Sequence, residues 1–125
     1  MASKKGEHLM DTALGLQYSG GQEDLYREFL AAFCDMQKEK RQQVEEAFSG
    51  ERWKEYTDFV HSLKSTSLTV GGRQLSEAAK GLEMAGKEYL ASREEAQLRY
   101  IREHHESTME LWDAFTAEAE QWLGR

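Results

Sequence analysis

Hydrophobic residues recur at alternating spacings of three and four along most of this chain, and breaks rich in glycine and serine divide the pattern into segments. This spacing is typical of amphipathic helices that turn one face to a core. The clearest segment runs from about Arg52 to Val70 and ends at Gly71 and Gly72, where glycine adopts the left-handed helix end without steric cost. Its apolar stripe consists of Trp53, Tyr56, Val60, Leu63, Ser67 and Val70.

Two helices are predicted before this segment. A short one follows Asp11, a suitable N-cap, and stops at Gly20 and Gly21. A long one is predicted from about Gln22 to Phe48, where Ser49 and Gly50 end it. Its predicted core-facing stripe is Leu25, Phe29, Ala32 and Met36.

Two more helices are predicted after it. One runs from about Arg73 to Leu90, with Leu75, Ala79, Leu82 and Tyr89 facing inward. An S-x-x-E capping box, Ser92 with Glu95, is predicted to open the last helix. Its predicted core stripe is Leu98, Ile101, His105, Thr108, Trp112, Phe115, Ala119 and Trp122.

Four long helices joined by short turns pack most simply as neighbours that run in opposite directions. The sequence therefore predicts an all-α fold, an antiparallel up-down four-helix bundle with a short extra N-terminal helix. The absence of proline from the 125 residues agrees with long helices. We expect one domain over residues 1–125, with residues 1–10 as a flexible N-terminus.

Composition narrows the classes of partner. A formal net charge of −7 argues against nucleic acid and anionic membranes as partners. No apolar run approaches the roughly 18 residues of a membrane span, and a single cysteine, Cys34, suits a reducing compartment. We therefore expect a cytoplasmic protein. We also expect a monomer, since one complete bundle can bury its own core.

One helix face carries candidate chemistry. At about 100° per residue, His61 lies about 120° from the centre of the stripe in its helix, so its imidazole is predicted to face solvent. Lys64 and Ser65, three and four residues on, share this surface, and Leu68 adds an apolar edge one turn further. An imidazole nitrogen is a competent nucleophile near neutral pH, and an ammonium group can balance the charge of a phosphate.

The run from His61 to Gly72, H-S-L-K-S-T-S-L-T-V-G-G, resembles the signature H-x-L-K-G-x-S-x-x-x-G-A of the histidine phosphotransfer (HPt) family. The similarity continues through residues 75–83, and Gly20 and Gly21 resemble the glycine pair before that family's first bundle helix. In all, the matching stretches span about Asp11 to Gly86. Two positions depart from the signature: Ser65 replaces a glycine, and Gly72 replaces an alanine.

The resemblance implies a phosphorelay protein. His61 would accept a phosphoryl group from an aspartate of one receiver domain and pass it to another, with Lys64 supporting the phosphate. Ser65 and Leu68 would belong to the docking surface, and Gly71 and Gly72 would close the helix. The resemblance implies a carrier rather than an enzyme, either free or part of a hybrid kinase. We expect no cofactor, because the chain has no ATP-binding glycine loop and any Mg²⁺ would belong to the receiver.

Other hypotheses stay open from the sequence. A degenerate bundle would bind receivers or other helices without carrying phosphate, and Ser65 in place of glycine favours it weakly. A helical interaction or dimerisation module would make the motif incidental. We expect no metal site, because the adjacent His104 and His105 point about 100° apart on a helix. His105 falls on the core stripe and is predicted to be a buried, hydrogen-bonded histidine, with His104 in solvent.

Overall fold

The computed structural model describes residues 8–125, and within that range all regular structure is helical. The all-α prediction is therefore confirmed. The first seven residues, which belong to the predicted flexible N-terminus, lie outside the described range. None of the helices of residues 8–125 combines the length and apolar composition needed to cross a membrane. The six helices are α1 (Thr12–Tyr18), α2 (Glu23–Asp35), α3 (Gln37–Ser49), α4 (Trp53–Thr69), α5 (Arg73–Ser92) and α6 (Glu95–Leu123).

The longest helices, α4, α5 and α6, form the centre of the packing. α5 lies against both α4 and α6, while α2 packs on α6 and α3 packs on α4. α1 contacts α2 and α4. The up-down four-helix topology stays a prediction.

A single core holds these helices together. Tyr26, Val60, Leu82, Ile101 and Phe115 come from four helices, and each is fully buried. Burying an aliphatic or aromatic side chain of this size contributes about 1.5–3 kcal/mol relative to leaving it in water. Tyr26 also donates a hydrogen bond of 2.9 Å to the carbonyl of Val70, which ties α2 to the end of α4.

The predicted long helix from Gln22 to Phe48 is wrong, because the chain turns at Met36 and forms two helices. Met36 has φ −92° and ψ −4°, so it departs from regular helical geometry. The turn has a packing cause: α2 packs against α6, whereas α3 packs against α4. One straight helix could not follow both partners.

The predicted core stripe of α2 is also wrong. Phe29 and Met36 are 44% and 49% exposed, and the buried residues of α2 are Tyr26, Leu30 and Cys34. Apolar residues occupy two stripes that are about one residue, or 100°, apart on the helix. Packing on α6 selects one stripe, and the other stays near the surface.

The turn between α5 and α6 does not use the predicted capping box. Ser92 is the last residue of α5, and its hydroxyl donates to the carbonyl of Glu88 at 2.9 Å and accepts from the amide of Glu94 at 3.2 Å. Glu94 is the N-cap of α6 and forms no side-chain cap. Ser92 therefore stabilises the end of α5, and Arg93, with φ 63°, makes the turn.

The sharp turn between α4 and α5 requires glycine at one position. Gly71 has φ +85°, and a Cβ added there would collide with the carbonyl oxygen of Asp11. The amide of Asp11 donates to the carbonyl of Gly71 at 2.8 Å, so the two backbones are in direct contact. Gly72 then serves as the N-cap of α5, and a Cβ there would lie 3.1 Å from the ring of Phe115.

The end of α6 departs from the predicted stripe at one residue. Trp122 is 36% exposed rather than buried. Its indole packs at 5.4 Å between ring centroids against Tyr26, and the guanidinium of Arg27 lies 4.8 Å from its centroid. Trp122 thus covers the end of α2 instead of entering the core.

Candidate functional site

His61 lies on the outer side of α4 with 57% of its side chain exposed. Val60, Leu63 and Ser67 point the other way and are buried, so the inner face of α4 is fully occupied by packing. The imidazole is therefore held on a rigid helix while part of its ring is open to a partner. The structure places His61 on the solvent side of its helix, where the spacing predicts it.

The buried carboxylate of Glu83, in α5, contacts the imidazole of His61. Glu83 is only 2% exposed, and its Oε2 lies 2.6 Å from His61 Nδ1. The same carboxylate forms ion pairs with Lys64, at 2.8 Å through Oε1, and with Lys87, at 2.9 Å through Oε2. Glu83 thus joins one histidine and two lysines from both helices into a single cluster, which we call the Glu83 cluster.

Glu83 is ionised over the whole physiological range. Burial raises the pKa of a carboxyl group, but hydrogen bonds from Lys64, Lys87 and His61 outweigh this effect and bring the pKa of Glu83 down to about 2. A buried charge is tolerated only when it is paired and hydrogen-bonded. The three partners meet that condition.

The ionised carboxylate determines which nitrogen of neutral His61 carries the proton. A carboxylate can only accept hydrogen bonds, so Nδ1 must be the donor in the 2.6 Å contact. In the neutral ring the lone pair then resides on Nε2. The arrangement leaves the lone pair of Nε2 free and keeps Nδ1–H on Glu83.

The two lysines of the Glu83 cluster, Lys64 and Lys87, differ in how far their side chains are exposed. Lys64 is 31% exposed, and its backbone carbonyl accepts a 2.9 Å hydrogen bond from the hydroxyl of Ser76. Lys87 is 67% exposed and reaches Glu83 from the next turn of α5. An ammonium group is a mobile point charge suited to phosphate oxygens. The cluster can therefore place positive charge beside an anionic group bound at Nε2.

The remaining predicted site residues lie along α4 and at its end. Ser65 is exposed one turn from His61, and Leu68 is half-buried two turns from it, about 10 Å along the axis. Gly71 and Gly72 form the turn into α5 and are buried. The structure brings His61 and Lys64 together through Glu83, while the other four residues lie outside the Glu83 cluster.

Glu83 and Lys87 are site residues that the sequence analysis missed. The run from Leu75 to Glu83 carries the family resemblance, but it assigned no role to the carboxyl group. The sequence does contain one indication of this role for Glu83. Ser76 and Glu83 are seven residues apart, and each directly follows an apolar residue of α5, Leu75 and Leu82. A carboxyl group at the margin of an apolar stripe, with a lysine four residues later, indicates a paired and partly buried charge.

Of the adjacent histidines in α6, only His105 packs in the core. His105 is buried, as predicted. Its Nδ1 shares a 2.9 Å hydrogen bond with the hydroxyl of Tyr56, and its Nε2 lies 2.6 Å from Oε1 of Glu45. Its ring stacks on Phe48 at 3.9 Å. His104 is exposed, as predicted. Across residues 8–125, no three side chains are grouped as metal ligands.

The sole cysteine does not contribute to the site. Cys34 is buried on the inner face of α2. Burial raises the pKa of its thiol to about 11, so little thiolate exists at neutral pH. Cys34 is therefore a structural residue of the core.

An exposed imidazole on a helical scaffold, backed by an ionised carboxylate and flanked by two cations, defines a protein that can carry an anionic group on histidine. The family model described as Hpt domain matches residues 28–123. The chain therefore belongs to the Hpt domain family, which confirms the resemblance seen in the sequence. No curated protein and no solved structure matches the chain significantly.

Membership in this family has consequences for function at the family level. Hpt domains take part in histidine phosphotransfer within phosphorelays, and they act as phosphoryl carriers rather than catalysts. Their partners in two-component systems are receiver domains.

Proposed function

We propose that this chain carries a phosphoryl group on Nε2 of His61, taking it from the phosphoaspartate of one receiver domain and passing it to another. The observation that carries the proposal is the 2.6 Å contact between His61 Nδ1 and the ionised carboxylate of Glu83. It leaves the lone pair on Nε2, the other nitrogen of a side chain that is 57% exposed, so a partner can reach it.

The transfer is an in-line displacement. Nε2 attacks the phosphorus, a P–N bond forms, and the P–O bond to the receiver aspartate breaks, so the aspartate leaves as a carboxylate. Nδ1 keeps its proton, and the phosphoimidazole gains a positive charge that Glu83 stabilises from 2.6 Å. The reverse sequence of bond changes loads the second receiver.

Charge neutralisation comes from two sources. Lys64 and Lys87 supply cations beside His61, and the receiver's acidic site would hold the Mg²⁺ that such transfers need. Phosphoryl transfer relies mainly on positioning and electrostatics, so no catalytic cleft is required here. The exposed Ser65 leaves room beside the imidazole for the partner, with Leu68 at the edge of the surface.

The degenerate binding module is the less favoured hypothesis. Ser65 is the only departure from the family signature on the exposed face of α4, and serine is still small. The contacts of His61, Lys64 and Lys87 with the buried carboxylate of Glu83 support the carrier hypothesis.

The deciding experiment is phosphotransfer from a small panel of phosphorylated receiver domains to the wild-type protein and to His61→Gln. We expect acid-labile, base-stable phosphate on the wild type only, with unchanged helical circular dichroism in the variant. His104→Gln is the matched control, since it removes another exposed histidine. Receiver binding without any transfer would instead support the degenerate module.

A further inference from the structure

A groove of about 350 Å³ lies between α2 and α4, with α3 along one side, and none of its lining residues belongs to the Glu83 cluster. Its rim includes the exposed side chains of Phe29 and Met36, and its inner wall reaches the core at Val44 and Trp112. The groove exists because α2 packs on α6 and the chain turns at Met36, which leaves α2 and α4 apart. Its volume lies within the range of about 300–1,000 Å³ found for small-molecule sites.

The residues that line the groove indicate the shape and the charge of a ligand that would fit it. Phe29, Phe33, Phe59 and Trp112 contribute aromatic surface, which favours a flat ring system. Of the described residues that line the groove, Lys40 is the only charged one. In a chain with a net charge of −7, a groove whose single charge is a cation is complementary to an anion.

A buried hydrogen-bond donor is a second, independent observation. Trp112 is 3% exposed, and its Nε1–H forms no hydrogen bond with residues 8–125. A buried indole N–H normally has a partner, because an unpaired buried donor destabilises the folded state. A ligand with an acceptor group would offer one.

We propose that this groove binds a small aromatic anion, a ring system of one or two fused rings with a carboxylate or sulfonate group. The rings lie against the aromatic lining, and the anionic group faces Lys40. Ser62 lines the groove, and it points about 100° away from the neighbouring His61, so the groove borders the face that carries the histidine without including it. The proposal concerns binding alone and does not depend on phosphotransfer.

The first test uses 8-anilinonaphthalene-1-sulfonate as the probe, with fluorescence titration of the intact protein. We expect saturable binding of one molecule, and a shift of the Trp112 indole N–H resonance in ¹⁵N-edited spectra. Ala32→Phe places a ring in the groove from an exposed position of α2 and should weaken binding about tenfold or more. Lys40→Gln should weaken it by up to about fivefold.

The matched control is Ala96→Phe, which adds the same ring at an exposed position of α6 outside the groove. It should bind the probe as the wild type does, and all variants should keep a cooperative thermal transition. Unsaturable binding, or equal affinity in Ala32→Phe, would overturn the proposal. The proposal would also be overturned if a receiver domain shifted the Trp112 resonance and the probe did not. The groove would then be a protein-docking surface.

Discussion

His61 Nδ1 and Glu83 Oε2 lie 2.6 Å apart, although the two residues are separated by 22 positions and belong to different helices. This contact joins the exposed face of α4 to the buried side of α5. It makes the orientation of the imidazole a property of helix packing rather than of α4 alone. The turn at Gly71 and Gly72 sets the two helices beside each other, and Lys64 and Lys87 join the same carboxylate.

Glu83→Gln should reduce phosphotransfer to His61 by about tenfold or more, because an amide can donate to Nδ1 and favour the other tautomer. The tautomer can be measured directly by two-bond ¹H–¹⁵N correlation spectra of the imidazole. We expect the Nδ1–H form in the wild type and an increase of the Nε2–H form in the variant. Glu88→Gln, an exposed change on α5, is the control. Unchanged tautomers in Glu83→Gln would contradict the role assigned to Glu83.

Lys64→Ala should slow phosphotransfer by about tenfold, and Lys87→Ala should slow it by at most about fivefold. The difference follows from exposure, since Lys64 is 31% exposed and Lys87 is 67% exposed, so water screens Lys87 more. Rates should be measured with one receiver at saturating concentration. Lys80→Ala, an exposed lysine of α5, serves as control. Equal losses in all three variants would point to general surface charge instead.

The stability of the protein should fall in acid partly through Glu83. The pKa of this residue is lowered from 4.5 to about 2, so its contribution is complete above about pH 4.5 and is lost as pH falls through about 2. The contribution is on the order of 3 kcal/mol at most. Urea unfolding at pH 7 and at pH 2.5 should show a gap between wild type and Glu83→Gln that narrows in acid. A gap independent of pH would exclude this linkage.

Gly71→Ala should destabilise the fold more than Gly20→Ala. Both glycines have positive φ, +85° and +65°, and an alanine pays roughly 1–2 kcal/mol in that region. At Gly20 no atom lies within 4 Å of an added Cβ, whereas at Gly71 the Cβ collides with the carbonyl of Asp11. Urea unfolding should be measured for both variants, because the difference between their free energies of unfolding gives the cost of the collision. Equal destabilisation would mean that the Asp11 segment moves aside freely.

Local patterns were sufficient for much of the fold. The bounds of α4 and α5 and the core residues of α6 up to Ala119 follow from spacing, because a helix that buries one face repeats its apolar positions every three or four residues. The position of His61 on the solvent side of α4 has the same origin. The motif around it was sufficient to indicate the family.

The wrong core stripe of α2 and the missed turn at Met36 have the same cause. In α2 two adjacent apolar stripes compete, and the contact with α6 selects Tyr26, Leu30 and Cys34. The turn at Met36 arises because α2 and α3 pack on different helices. Neither choice is visible in a local pattern, since both depend on the energy of contacts with distant parts of the chain.

The amino-acid sequence by itself determined that this protein is all-α, that it belongs to the Hpt family and that His61 is exposed, because these depend on residue type and helical period. Only the tertiary structure decided that Glu83 lies under His61, that Lys64 and Lys87 share its carboxylate, and that a groove opens between α2 and α4. Each of these results from the packing of separate helices, and the free energy of such contacts is not encoded in any one segment.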